Sequence, residues 1–220
     1  MIRPIAPQGL HEFVEAAALR QFVRAGTKAV DLGTGRGAMA ERLQAMGCDV
    51  LGVDLSVDNF EATTRHVVMD LNLPDFASAL GVSGFDVVTA VEVIEHVESP
   101  IGFLRNIARL LAPSGIAVLT TPNVDSLPAR LKHLFTGKIR LMDETGEPSH
   151  ISPIFYDLFR RQFLPQSSLS LVNHQLFPPG GFDHSRKPVS WAMRFASHFF
   201  RDESITGDHH VLTLRRQIEG

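Results

Sequence analysis

The chain is 220 residues long with 44% hydrophobic and 20% charged residues, enough for one folded domain and far from a disordered composition. Its net charge of −3 gives no electrostatic case for duplex nucleic acid as a partner, and no apolar stretch approaches the roughly 20 residues that cross a bilayer. The single cysteine, Cys48, excludes an internal disulfide framework, and residues 1–10 hold no apolar run of the signal-peptide kind, so a cytoplasmic location is expected.

From 10 to 25 the apolar residues Leu10, Phe13, Val14, Ala17, Ala18, Leu19 and Phe22 recur at helical spacing, and Gly26 closes the helix. Short apolar runs predict buried strands over 28–32, 49–53, 65–69 and 85–91, with a helix over 38–46 between the first two. Ser99-Pro100 opens another helix, serine as cap and proline at its first position, running to about 111. Pro113-Ser114-Gly115 is then a turn into a strand over 116–121. After Pro122 the rhythm changes. A helical piece over 127–135 and a polar loop form a small insertion at about 123–152, too short to bury its own core. A helix over about 153–163 and a strand near 169–177 follow, then the loop signal Pro178-Pro179-Gly180-Gly181. An amphipathic helix over 189–200 and an alternating strand over 210–215 end the pattern. Apolar strands separated by helices predict a parallel sheet covered on both faces, within a single domain over 1–220.

The strongest local signal is Asp31-Leu32-Gly33-Thr34-Gly35-Arg36-Gly37, between a strand and a helix. Glycines there let the backbone turn sharply and let a ligand approach where a Cβ would clash. Asp54 ends the next strand, where a carboxylate can accept two ribose hydroxyls, and Asp70 ends the third, within reach of an adenine amino group. The plainer alternative is that these carboxylates cap helices or face water. NAD is the rival ligand, since Ala38 is a permitted third position of a dinucleotide fingerprint. A carboxylate at Asp31 pointing into the pocket would repel a pyrophosphate and attract an ammonium, which favours a sulfonium donor with an amino-acid end.

These segments resemble the class I S-adenosylmethionine-dependent methyltransferases over roughly 30–123. Residues 29–37 resemble the family's first motif, Val53-Asp54-Leu55-Ser56 its ribose motif, and Met69-Asp70 its adenine motif. Phe85-Asp86-Val87-Val88 is similar to the fourth strand, and 110–115 to the turn before the fifth, with Ser114 in place of the common glycine. The resemblance implies a three-layer α/β/α sandwich on a Rossmann-like, mostly parallel seven-stranded sheet with an antiparallel last strand. It also implies donor contacts from Asp31, Gly33, Thr34, Gly35, Gly37, Asp54, Leu55, Asp70, Leu71 and Glu92.

Glu92, Glu95 and His96 stand at i, i+3 and i+4 and share a face if they form a helical turn. The segment resembles the ubiquinone-pathway O-methyltransferases and the RNA 3′-terminal 2′-O-methyltransferases, which implies a divalent ion held by Glu92, Glu95, His96 and the later His150. Alternatively His96, with His150, serves as a metal-free base, or all these side chains are simply solvated. Arg130, Lys132, His133, Lys138 and Arg140 make the insertion basic, either a clamp for an anionic acceptor or a solvated face. Phe155 and Tyr156 are candidate pocket residues, and Trp191, Phe195 and Phe199 form a stripe suited to core packing or to covering the pocket. The expected reaction is methyl transfer to a small-molecule acceptor, preferably at a hydroxyl oxygen, by a monomer or homodimer. An NAD-dependent oxidoreductase and a non-catalytic donor-binding module are the rivals.

Overall fold

The computed structural model describes residues 2–143, 149–179, 181–182, 195 and 204–217. The amphipathic helix expected over 189–200, with Trp191 and Phe199, lies outside the described residues except for Phe195, which is exposed.

Seven strands form one sheet: β1 (Lys28–Leu32), β2 (Asp49–Asp54), β3 (Arg65–Val68), β4 (Phe85–Val91), β5 (Leu111–Pro122), β6 (Leu169–Phe177) and β7 (His209–Arg216). Their order is β3-β2-β1-β4-β5-β7-β6. The first five run parallel, while β7 is antiparallel to both β5 and β6. This is the Rossmann-like, mostly parallel seven-stranded sheet with an antiparallel last strand that the family resemblance implies.

The helices are α1 (Leu10–Val14, continued more widely wound over Glu15–Leu19), α2 (Ala38–Ala45), α3 (Phe76–Leu80), α4 (Pro100–Leu110), α5 (Leu127–Thr136) and α6 (Tyr156–Leu158, continued over Phe159–Phe163). Alternate strand residues feed two cores. Val30, Leu32, Val88 and Ala90 pack with Phe103, Leu104 and Ile107 of α4 and with Phe159, while Ala29, Val87 and Val91 pack with Leu10, Val14, Met39 and Leu43 of α1 and α2. Burying both faces of each central strand is what makes its sequence apolar without alternation.

Three elements differ from expectation. The first helix stops at Leu19 rather than near 25: its last wide-turn bond runs from Arg20 N to Glu15 O, and the Phe22 and Val23 amides both return to Leu19 O in a closing turn. α3 is absent from the pattern reading; it spans five residues, opened by Asp75, whose side chain accepts from Ser78 N. The stretch expected as a turn at 113–115 is a bulge within a longer β5, with Leu111 paired to Phe85 and regular pairing resuming at Ile116. A Cβ at Gly115 would stand 2.6 Å from Phe85 O, so the close strand approach there requires glycine. Among the described residues no helix is long and apolar enough to cross a membrane.

Candidate functional site

The carboxyl ends of β1, β2 and β4 surround a cleft of about 790 Å³, the edge where open α/β sheets hold ligands. One wall is the loop after β1. Gly33 has φ +68°, and a Cβ there would lie 2.5 Å from Val93 Cγ2, so the loop and the segment after β4 meet only over glycine. Asp54 ties the loop to β2: its Oδ2 accepts from Gly35 N and its Oδ1 from Leu55 N, each at 2.7 Å. Gly33, Thr34, Gly35, Asp54 and Glu92 of the expected donor residues line the cleft.

The other five are placed elsewhere. Asp31 is 2% exposed; its oxygens accept from Thr34 Oγ1 and Thr89 Oγ1, both at 2.7 Å, so it braces the loop from beneath instead of facing the cleft. Burial raises its carboxyl to about 6 against the pull of those two hydroxyls. A Cβ at Gly37 would strike Ala62 at 2.5 Å, so this glycine serves packing. Leu55 is exposed, Asp70 is exposed and accepts from Asn72 N, and Leu71 packs against the core.

Beyond β4 the chain does not continue as one helical turn. Glu92 has φ +56°, a left-handed conformation that is costly for a residue with a Cβ. Thr120 fixes it twice: Glu92 N donates to Thr120 Oγ1 (2.9 Å), and that hydroxyl donates to Glu92 Oε1 (2.8 Å). The other oxygen, Oε2, lies 3.0 Å from Nδ1 of His209, a buried residue on the cleft wall. Burial opposes charge on both groups, yet each holds the other ionised: Glu92 lies below the usual carboxylate range and His209 above the usual imidazole value.

Glu95 and His96 stand on a tight turn over Ile94–His96. One ligand atom from each of Glu95, His96 and His150 lies within 4.8 Å of the others, with the two imidazoles edge to face at 4.6 Å. His96 Nδ1 meets Ser149 O at 3.1 Å and His150 Nδ1 meets Leu141 O at 2.6 Å. An N–H donated to a carbonyl leaves Nε2 as the lone-pair nitrogen, the tautomer a metal ligand needs. Glu95 is 0% exposed, neither carboxylate oxygen has a hydrogen-bond partner among the described residues, and His150 Nε2 is 3.9 Å away. Burial, then the charge of Glu92, pushes its carboxyl well above the usual range. A buried carboxylate that no well-formed hydrogen bond satisfies, with only its own amide and the Thr121 hydroxyl favouring its charge, fits a divalent cation with mixed oxygen and nitrogen ligands beside two such imidazoles. Of the four expected ligands these three come together, while Glu92 is engaged by Thr120 and His209.

None of the five basic residues of the insertion lines the cleft. Arg140 pairs with buried Asp208 at 2.8 Å, Lys132 with Asp143 at 2.6 Å, and Arg130 Nε donates to Asp125 O. Three of the five are thus engaged within the chain. Tyr156 stacks on His174 at 4.0 Å, and neither it nor Phe155 lines the cleft. Sequence reasoning misses His11, His209 and the segment Pro4–Pro7 on the cleft wall, since nothing local marks them.

A family model described as a methyltransferase domain matches residues 6–186. The chain is 37% identical over 109 residues to a ubiquinone biosynthesis O-methyltransferase of Psychrobacter cryohalolentis, covering 45% of this chain and 42% of that one, so it spans less than half the length of that relative. It is 31% identical over 192 residues to the enzyme of that name from Roseobacter denitrificans, covering 82% and 71%. Among solved structures, a SAM-dependent methyltransferase from Archaeoglobus fulgidus superposes with TM-score 0.66 at 17% identity over 94% of both chains. The [4+2]-cyclase SpnF does so at 0.60 and 15% identity, over 96% of this chain and 81% of that one, a reminder that such likeness shows the fold alone. With a family model spanning most of its length, the chain belongs to the class I S-adenosylmethionine-dependent methyltransferases.

Proposed function

We propose that this protein transfers the methyl group of S-adenosylmethionine to a hydroxyl oxygen of a small molecule, beside a divalent ion held by Glu95, His96 and His150. The observation that carries this reading is that His96 and His150 line the same cleft as the glycine loop and Asp54. The names of the curated relatives support oxygen as the acceptor atom. When bound, the donor supplies an activated methyl carbon with a neutral thioether as leaving group. The ion, when bound, lowers the pKa of an acceptor hydroxyl; mixed ligands suit zinc, manganese or iron at least as well as magnesium.

The protein's own part is to position and to exclude water. Asp54, on the cleft wall at the end of β2, would accept the ribose hydroxyls of the donor. Pro4–Pro7 cover the cleft from the N-terminal side. Glu92, held in place by His209 and Thr120, contributes a rigid polar wall beside the donor. Orientation of two reactants in this way supplies about 7–11 kcal/mol of barrier reduction.

The test is incubation with methyl-tritiated S-adenosylmethionine and a panel of phenols and catechols, before and after chelation. Label in an O-methyl product, lost on chelation and restored by a divalent ion, is expected. Full turnover in chelator rejects the ion, and tighter binding of NAD than of S-adenosylhomocysteine rejects the donor.

A further inference from the structure

We propose that Arg140 is a positioning residue for the cation group: paired with Asp208, it holds the backbone of Leu141, whose carbonyl orients the ligand His150. The inference rests on the metal reading above and deepens it with residues that no motif marks. Asp208 immediately precedes β7 and is fixed at both backbone groups, its N–H donating to Phe177 O and its carbonyl accepting from Asn123 N, each at 2.7 Å. Its carboxylate is therefore a rigid anchor, and Arg140 Nη1 meets it at 2.8 Å. Arg140 is 9% exposed and Asp208 0%, so the two charges have given up their water for each other.

Next in the chain, Leu141 has φ +66°, a left-handed conformation that strains a residue with a Cβ. Such strain persists only where the surroundings over-determine it. Here ion pairs flank it on both sides, Arg140 with Asp208 and Asp143 with Lys132 at 2.6 Å. The turn serves the site twice: Leu141 lines the cleft, and its carbonyl stands 2.6 Å from His150 Nδ1. A carbonyl has no proton to give, so that nitrogen carries the hydrogen, and Nε2, 3.9 Å from Glu95 Oε1, keeps its lone pair for the ion. Two apolar side chains of similar volume are often as stable as a buried ion pair. What they lack is the directional grip that fixes the backbone after residue 140.

Cobalt(II) binding tests this without an acceptor or turnover. Wild type, Arg140→Lys and the double variant Arg140→Met with Asp208→Leu are titrated with cobalt, followed by visible absorption, and with S-adenosylhomocysteine, followed by calorimetry. The double variant leaves no unpaired buried charge, so its fold should be retained. It should bind cobalt about ten- to a hundredfold more weakly, the usual loss when the partner that orients a ligating histidine is disturbed, and with a shifted spectrum. Its affinity for S-adenosylhomocysteine should stay unchanged. Arg140→Lys, which keeps the charge but not the forked geometry, should fall between the double variant and wild type. Cobalt affinity and spectrum equal to those of wild type in the double variant overturn the inference. So does a parallel loss of both ligands, which assigns the ion pair a general structural role. If the double variant does not fold, Arg140→Lys decides by the same two titrations, an unchanged cobalt affinity overturning the inference. A wild type that binds no cobalt refutes the metal reading itself, a result distinct from these.

Discussion

Replacing Glu95 by methionine should stabilise the protein in chelator and destabilise it, relative to wild type, in a divalent ion. Glu95 is fully buried with two carboxylate oxygens that lack hydrogen-bond partners among the described residues. An unsatisfied buried polar group costs about 1–3 kcal/mol, and methionine fills a similar volume without that penalty. For a domain of this size each kcal/mol moves Tm by about 2–4 °C, so the variant should melt about 2–12 °C above wild type in chelator. Saturating ion reverses the order, because a ligand at 1,000 times its Kd adds about 4.1 kcal/mol to the state that binds it. The methionine variant, one ligand short, gains little. Melting both proteins in chelator and across a manganese or zinc titration reads both halves. A variant that melts below wild type in chelator would show that the carboxylate is structurally satisfied. A wild-type melt unmoved by any divalent ion would refute the metal group.

Asp54→Ala should weaken S-adenosylhomocysteine about ten- to a hundredfold, the loss of roughly 1.5–3 kcal/mol for charged hydrogen bonds, with the fold intact; an unchanged dissociation constant by calorimetry places Asp54 outside the donor site. Gly33→Ala combines a left-handed backbone with a 2.5 Å approach to Val93, and should cost about 2–5 kcal/mol in thermal unfolding. Adding Val93→Ala should return the packing share and leave the backbone share of about 1–2 kcal/mol; if the double variant is no more stable than the single, the clash is not the cause.

The sheet is legible in the sequence because its central strands are buried on both faces, leaving runs such as Val87, Val88, Thr89, Ala90 and Val91 that no exposed element carries. The glycine loop is legible because φ above zero restricts the residue type. α3 is not legible, since one capped turn over Phe76–Leu80 produces no period. The direction of Asp31 is set by Thr89 across the β1–β4 pairing, a partner from another strand that no local spacing shows. Glu92 illustrates the same limit: spacing places it on a helical face with Glu95 and His96, while Thr120 and His209 hold it left-handed and turned aside. His11 and His209 reach the cleft by tertiary packing alone.

The position of β7 carries a consequence for assembly. This strand follows β6 in the chain yet lies between β5 and β6, pairing with both along most of its length. Until it docks, β5 keeps an open edge and β6 has no strand partner, so β6 and β7 must join the sheet together or β7 first. His209, Asp208 and through them Arg140 arrive with that strand. During synthesis, then, the parallel half of the sheet with its glycine loop can form while the chain is still being made. The cleft is complete only once β7 has docked, because His209 on its wall, the partner that holds Glu92, begins that strand.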